Sequence, residues 1–414
     1  MDRRRAAPAR AVVTGGGGGK PGPGQIDRLI IQQYDITRYP TIGGIDTCLR
    51  GLLEYAPPGV ELAVVGIDEG TWPGRKLGRW ETHRRGEHTI RFLPVARIDT
   101  GRGRRFPYSV RLVAGVLRHR RAIPGPSVVQ AHRLDVALAV RVLFRAPLVF
   151  CIHTQERGLV GRTSDSFWRF GGAAVYERLD RMMAGLARCV IVFNPDYAER
   201  VRGWNRRTVS APTWFDPATT PFRLDTHDPY AVLWVGRLEV PKDPELAVRV
   251  FAALALDHPD EPWSLQIVGS GSLMPALEGQ IAALPPDVGR RITLRGRLDP
   301  EQLGEVRSRS GMLLMTSHPG YEGFPRVLVE SLATGLPAVV TEGSDTAGLV
   351  RPLVSGSVHG RDPAALAAGL RSARALDRTA VADVVSGLSA PRVVREVFFG
   401  ELIGSGAPAG RGAR

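Results

Sequence analysis

From residue 28 onward the chain alternates short apolar runs with longer mixed segments. In the first half the runs fall at 28–34, 61–67, 89–96, 127–132, 147–154 and 189–195. They are short and rich in Val, Ile, Leu and Phe, as strands buried on both faces are. Helical spacing fills the gaps, predicting helices over Gly44–Tyr55, Ser109–Arg120, Asp135–Phe144 and Tyr176–Arg188. The second half repeats the plan, with strands at 231–236, 264–269, 291–296, 311–317 and 336–340. Three of its helices open on Asp-Pro, at Asp243-Pro244, Asp299-Pro300 and Asp362-Pro363. Asp is a good N-cap and Pro a good first helical residue. Strand–helix alternation of this kind predicts an α/β protein with two Rossmann-like, doubly wound domains facing a cleft, with ligands outside the carboxyl ends of the strands.

Domain limits follow from composition. Residues 1–24, with glycines from Gly15 to Gly19, read as a flexible tail, and 25–212 as the first domain. The Pro-, Asp- and Thr-rich segment 213–230 reads as a linker, 231–388 as the second domain, and 405–414 as another flexible tail. The segment GGGGGKPG approaches a phosphate-binding loop, but Thr14 stands at its first glycine and Pro21 at its Ser/Thr, so it is rejected.

The candidate chemistry lies just after predicted strands. Glu322 precedes, and Glu330 sits in the second turn of, a helix predicted from about Pro325 to Thr334, with Gly335 and Pro337 as its stop. A carboxylate before a helix, the helix N-terminus and a second carboxylate in its second turn can grip a sugar nucleotide, the N-terminus favouring phosphate and an acid favouring ribose. Two solvated glutamates are the plain alternative. In VGRLEVPKD, Arg237 and Lys242 beside the Asp243-capped helix suit a diphosphate. Gly269, Ser270 and Gly271 in IVGSGS, and Gly43 and Gly44 in PTIGGIDT, allow close backbone approach to a ligand or form ordinary turns. His132 and His153 each end a strand, which places ligand contact beside a structural role, with His153 the better candidate.

Charge changes the picture in one stretch. The chain carries a formal +14, and Arg75–Arg121 holds fourteen Lys/Arg against Glu81, Glu87 and Asp99, a net +11. Such a stretch meets an anionic membrane or acceptor, or is a solvated basic surface. Within it, Phe106, Val110, Val113 and Leu117 recur at helical spacing among arginines, which suits a membrane-surface helix or one that covers a sheet. No nucleic-acid-binding signature accompanies the charge. Cys48, Cys151 and Cys189 are far apart and the nine histidines show no HExxH or HxH spacing, so no metal is expected. Widely spaced cysteines fit a reducing cytoplasm, and neither a secretory signal nor a membrane-spanning apolar run is apparent.

VGRLEVPKD, IVGSGS and SHPGYEGFPRVLVESLATGLPAVV resemble the donor-binding half of retaining GT-B glycosyltransferases of family 4, also described as glycosyl transferases group 1. The loop at Gly43 and Gly44 and His153 after PLVFCI resemble the acceptor half. The resemblance covers roughly 28–400. It implies that Arg237 and Lys242 hold the diphosphate, Glu330 the ribose hydroxyls, and Glu322 with the backbone of Gly323 and Phe324 the donor sugar. His153 then sits near the reacting face of the transferred sugar, with His132 on the acceptor side. Residues 389–404 become a helix crossing back to the first domain. Ser270 stands where the family often has an acid and Pro325 where it often has glycine. Thr213-Trp214-Phe215-Asp216 replaces an Asn-Gly-Val-Asp stretch, and an acid expected beyond the Ala-x-Gly-x-Pro turn is not evident, which puts the sugar's identity in question.

The expected function is transfer of a sugar, a hexose by the resemblance, from a nucleoside-diphosphate sugar to a hydroxyl acceptor in glycan, glycolipid or cell-envelope polysaccharide synthesis. No cofactor is expected beyond the co-substrate. Expected partners are that donor, a glycan, lipid-linked or small-molecule acceptor and an anionic membrane surface, with no nucleic acid. The expected location is the cytoplasm or the inner face of the cell membrane. The alternatives are a sugar-nucleotide epimerase on the same fold and a catalytically weak protein binding anionic surfaces.

Overall fold

The computed structural model describes residues 26–39, 44–98, 108–153 and 173–400. The chain divides into two compact units. The first comprises Met1–Val192, Tyr197–Val209 and Val394–Arg414; the second comprises Phe193–Asp196 and Ser210–Val393.

The described part of the first unit is built on an eight-stranded sheet. Its strands are β1 (Ile26–Ile31), β2 (Leu62–Asp68), β3 (Glu81–Arg85), β4 (His88–Arg97), β5 (Pro126–Ala131), β6 (Leu148–Ile152), β7 (Cys189–Val192) and β8 (Thr208–Ser210), in the order β3-β4-β2-β1-β5-β6-β7-β8. From β4 through β7 every pairing is parallel, and β3 pairs antiparallel on β4. Helices α1 (Gly44–Glu54), α2 (Tyr108–Arg118), α3 (Leu134–Leu143) and α4 (Ala173–Leu186) connect the strands. The core gathers Leu29, Ile31, Val65, Leu93, Val129 and Phe150 from the sheet with Leu112, Val116 and Val140 from α2 and α3.

The second unit has the order β11-β10-β9-β12-β13-β14, with β9 (Ala231–Val235), β10 (Ser264–Val268), β11 (Ile292–Gly296), β12 (Met312–Met315), β13 (Ala338–Thr341) and β14 (Gly356–His359), all parallel. The Asp-Pro signals work as expected. Asp243 caps α5 (Pro244–Asp257), Asp299 forms a capping box with Gln302 on α6 (Pro300–Arg309), and Asp362 caps α8 (Pro363–Ala373). Between them lies α7 (Arg326–Ala333), whose N-cap is Pro325; the proline was expected one position further in. Gly335 ends α7 at φ 75°, where a side chain would also strike Phe222 and the Arg378 backbone.

Several expectations need correction. The strands β3, β8 and β14 are absent from the sequence reading because each is short and only partly buried, with no apolar run. Residues 213–230 belong to the second unit rather than forming a linker. Phe215 exchanges backbone hydrogen bonds with Leu388 and Ala390, at 3.1 and 2.8 Å, and Thr226 donates to the Ser308 carbonyl. The segment expected as one crossing helix over 389–404 is divided at Val393/Val394 between the units, and its residues 401–404 lie outside the described residues, as do both expected tails.

The basic stretch is also not one uniform surface. Arg75 is buried, with its guanidinium on both carboxylate oxygens of Asp35 at 2.8 and 2.9 Å and on Glu81 at 3.1 Å. Arg97 pairs with Asp68 at 2.7 Å, and Arg120 donates to the Leu143 and Ile123 carbonyls. Helix α2 does cover the sheet, but through Leu112, Gly115 and Val116; a Cβ on Gly115 would lie 2.4 Å from the Val95 carbonyl. The stripe picked out by spacing faces outward instead, with Val110 47% and Leu117 54% exposed beside exposed Arg111 and Arg118. Phe106 lies outside the described residues. Among the described residues no helix is long and apolar enough to cross a membrane.

Candidate functional site

In the second unit the sheet order reverses between β9 and β12. Because these strands are parallel neighbours, the loops that follow them leave the same edge side by side. Their backbones are tied where His318 N donates to Pro241 O at 2.9 Å. Arg237 and Lys242 lie in the first loop, and Glu322 lies in the second.

The residues singled out in sequence meet here. Lys242 Nζ is 2.5 Å from Glu322 Oε1, and the Ser317 hydroxyl donates to the same oxygen at 2.6 Å. Glu322 is buried, so these two groups replace the water a carboxylate would otherwise hold. Arg237 donates to the Tyr321 hydroxyl, while the Lys242 ammonium lies 5.6 Å from the centre of the Tyr321 ring. Tyr321 therefore bridges the two cations, a role that nothing in its sequence position signalled. The Thr346 hydroxyl donates to the Gly323 carbonyl and Thr213 to that of Phe324, which fixes the loop backbone ahead of α7.

Asp243 does more than cap a helix. It sits in the left-handed region at φ 42°, where a residue with a Cβ is strained. Thr316 braces it: its hydroxyl accepts from Trp234 Nε1 at 2.9 Å and lies 2.7 Å from the Asp243 carbonyl. Arg361 completes the brace, pairing with the Asp243 carboxylate and donating to the Thr316 and Ser317 carbonyls at 3.1 Å. The strained turn carries the backbone from Lys242 into α5, so this support sets where Lys242 starts.

Glu330 lies on the second turn of α7, as expected, but it is not an open carboxylate. Arg307 from α6 binds one oxygen at 2.7 Å, and Arg326 binds the other at 2.9 and 3.2 Å. Burial pushes the Glu330 carboxyl up, yet the two guanidiniums outweigh it and hold it below its ordinary range. It is ionised, oriented, and retains lone pairs for further donors.

The glycines differ in what they do. A Cβ on Gly269 would lie 1.8 Å from the Gly236 carbonyl, and one on Gly271 would lie 2.3 Å from that of Leu238. These glycines let the loop after β10 pack on the loop after β9, where Leu238 N donates to Ser270 O at 3.0 Å. Of the two readings, backbone packing explains them directly; Ser270 itself is exposed. Gly44, first residue of α1, has open space where a Cβ would stand. Gly43 lies outside the described residues.

In the first unit, the order reverses between β1 and β5, and His132 follows β5 while His153 follows β6. The two rings meet: His132 Nδ1 is 2.7 Å from His153 Nε2, and Gln130 Nε2 is 2.8 Å from His132 Nε2. Behind them, buried Arg28 on β1 donates from Nη1 to Gln130 Oε1 at 3.1 Å and to the Phe398 carbonyl at 2.7 Å, with the Phe399 ring 4.2 Å from its guanidinium carbon. Burial lowers both imidazoles, His132 well below its ordinary value and His153 to about 3. It also pulls Arg28 down to about 10.

Cys48, from α1, is brought within 4.8 Å of the ligand atoms of His132 and His153, so a Cys/His cluster exists although no spacing announced it. Its donor types suit a soft divalent cation.

Residues 229–374 match the family described as Glycosyl transferases group 1. The chain is 33% identical over 166 residues to the D-inositol 3-phosphate glycosyltransferase of Acidothermus cellulolyticus, a stretch that spans 39% of this chain and 36% of that protein. Among solved structures it resembles sucrose-phosphate synthase from Thermosynechococcus elongatus, with a TM-score of 0.64 and 18% identity over 91% of this chain and 96% of that one. It also resembles an E. coli structure described as trehalose-6-phosphate bound with UDP-2-fluoro glucose, with a TM-score of 0.66 and 13% identity over 91% of this chain and 99% of that one. The fold is accordingly GT-B, two parallel-sheet α/β domains.

Proposed function

We propose that this protein is a retaining glycosyltransferase of family 4 that moves a hexose from a nucleoside-diphosphate sugar to a hydroxyl acceptor in glycan, glycolipid or envelope-polysaccharide synthesis. The observation that carries the reading is the cluster at the β9/β12 edge: two cations, a buried carboxylate beside Lys242 and an ionised glutamate on the next helix, all within the matched segment 229–374. Arg237 and Lys242 take the diphosphate, whose charge grows as the glycosidic bond breaks. Donor binding then divides Lys242 between Glu322 and phosphate, and Glu322 turns an oxygen to the sugar hydroxyls. Glu330, already ionised, accepts from the ribose. The leaving phosphate takes the acceptor's proton, so that neither a carboxylate nucleophile nor a metal is needed. Because one structural relative is described with UDP-2-fluoro glucose, a UDP-hexose is the first donor to test.

A thermal-shift panel of UDP-, GDP- and ADP-sugars identifies the nucleotide, since a ligand of the native state raises its stability by mass action. Transfer to an added acceptor, with the product's anomeric configuration read by NMR, tests the reaction. An inverted product refutes retention, and donor isomerisation without acceptor points to an epimerase.

A second element of the reading concerns location. Val110 and Leu117 stand exposed on α2, each followed by an exposed arginine, Arg111 and Arg118, a pairing that supports peripheral binding to an anionic membrane at the cytoplasmic face. The acceptor would then be lipid-linked.

A further inference from the structure

We propose that Arg28 and Gln130 are positioning residues that fix the single proton of His153 on Nδ1, through a one-way relay of hydrogen bonds across three strands. The direction follows from donor chemistry. A guanidinium only donates, so Gln130 must receive Arg28 at Oε1, and its amide nitrogen must face His132. An amide nitrogen also only donates, so His132 Nε2 accepts and carries no proton. His132 is neutral and therefore holds its proton on Nδ1, from which it donates to His153 Nε2. His153 Nε2 is left unprotonated, and the ring's proton lies on Nδ1. Burial keeps both rings neutral across the physiological range, so the order is not scrambled by a second proton.

The relay is set from behind. Arg28 pairs in register with Val128, one step of the same sheet face from Gln130, and its guanidinium is held by the Phe398 carbonyl and the Phe399 ring. The same order bears on the cluster with Cys48. A cation bound at His132 Nδ1 would displace the only proton on that ring while the Gln130 amide still faced Nε2. The ring would have to become an imidazolate, so the relay opposes metal binding there. A donor at Nδ1 of His153 suits a hydroxyl oxygen of the transferred sugar; that consequence rests on the glycosyltransferase reading, whereas the proton order does not.

The experiment is a long-range proton–nitrogen correlation spectrum of the full chain with nitrogen-15 histidine, recorded without donor. His132 and His153 should both show a protonated Nδ1 and a bare Nε2. Gln130→Glu should reverse both rings, because a carboxylate accepts from His132 Nε2 as well as from Arg28. Arg28→Lys, which still only donates, should leave them as they are. His153 protonated at Nε2 in the unsubstituted protein, or unreversed rings in Gln130→Glu, overturns the proposal; the first measurement needs no variant to fold. In the transfer assay, reversed rings should lower kcat roughly 10²-fold while the donor KM stays within about twofold, the pattern of a misplaced proton. Reversed rings with unchanged turnover keep the relay and remove His153 from the reaction.

Discussion

The two units place their candidate chemistry at the same kind of site, the edge where strand order reverses, and equip it in opposite ways. The second unit gathers full charges: Arg237, Lys242, Glu322, Glu330 and their guanidinium partners. The first gathers neutral groups in a line, buried Gln130 and His132 and half-buried His153, with the cation Arg28 set behind them. Charges neutralise a diphosphate and tolerate small displacements, since Coulomb attraction falls slowly with distance. A chain of neutral hydrogen bonds does the reverse. It carries little charge but specifies which atom holds each proton.

The comparison breaks most visibly if the charged site is cut. Lys242→Ala should reduce kcat/KM on the order of 10³-fold and Arg237→Ala on the order of 10²-fold, about 4 and 2.7 kcal/mol, with the fold retained. Lys242 is the larger because it also neutralises Glu322. Steady-state kinetics with saturating acceptor checks this, and near-normal rates in both variants would dismiss the diphosphate assignment.

Glu330→Gln comes next. It leaves Arg307, almost wholly buried, beside an uncharged amide, so stability should fall by about 3 kcal/mol in urea denaturation. Binding of the bare nucleotide should weaken as well, whereas Glu322→Gln should impair transfer and leave that binding nearly unchanged. Calorimetry with nucleoside diphosphate separates the two; equal losses refute the division of labour.

The neutral site should appear as a pH dependence. The unfolded chain protonates its histidines near pH 6.5, while folded His153 resists until about pH 3. The unfolded state therefore binds more protons in that window, and stability falls as pH drops below about 6.5, by up to about 1.4 kcal/mol per pH unit for each such histidine. His153→Gln should flatten the decline between pH 6.5 and 5. Asp35 and Glu330, both held low, add their losses only as pH falls through and below the ordinary carboxylate range. An unchanged slope in the variant would mean that the ring takes up its proton freely in the folded protein.

The smallest effect on stability belongs to the exposed pair on α2. Val110→Ser with Leu117→Ser should change unfolding by less than about 0.5 kcal/mol each, as surface positions do. It should nevertheless abolish sedimentation with anionic vesicles. Equal recovery of both proteins, or sedimentation with neutral vesicles, returns α2 to an ordinary sheet cover.

The two edges also differ in how far sequence revealed them. The charged one was legible because its parts are local: a strand, a turn, a capped helix, then carboxylates eight positions apart on either side of a helix start. Its partners were not, since Tyr321, Arg361 and Arg307 acquire meaning only through a strand order that no spacing encodes. His132 and His153 were visible as strand ends, but their contact depends on β5 and β6 being neighbours. Arg28 was hidden as the first residue of an apolar run, where one arginine reads as its boundary. The outward stripe on α2 misled for a related reason: period alone finds a face, and only packing says which face is inside.

Arg28 has one more consequence, which concerns synthesis rather than chemistry. Its hydrogen bond to the Phe398 carbonyl joins residues 370 positions apart. During translation, β1 is made well before the carbonyl that receives its buried guanidinium, which follows the whole of Ser210–Val393. Until then the nascent first unit carries a cation without that acceptor, while the second unit, between Ser210 and Val393, can already close. The order in which the ribosome releases the chain and the order in which the units mature are thus reversed, with the unit begun first completed last.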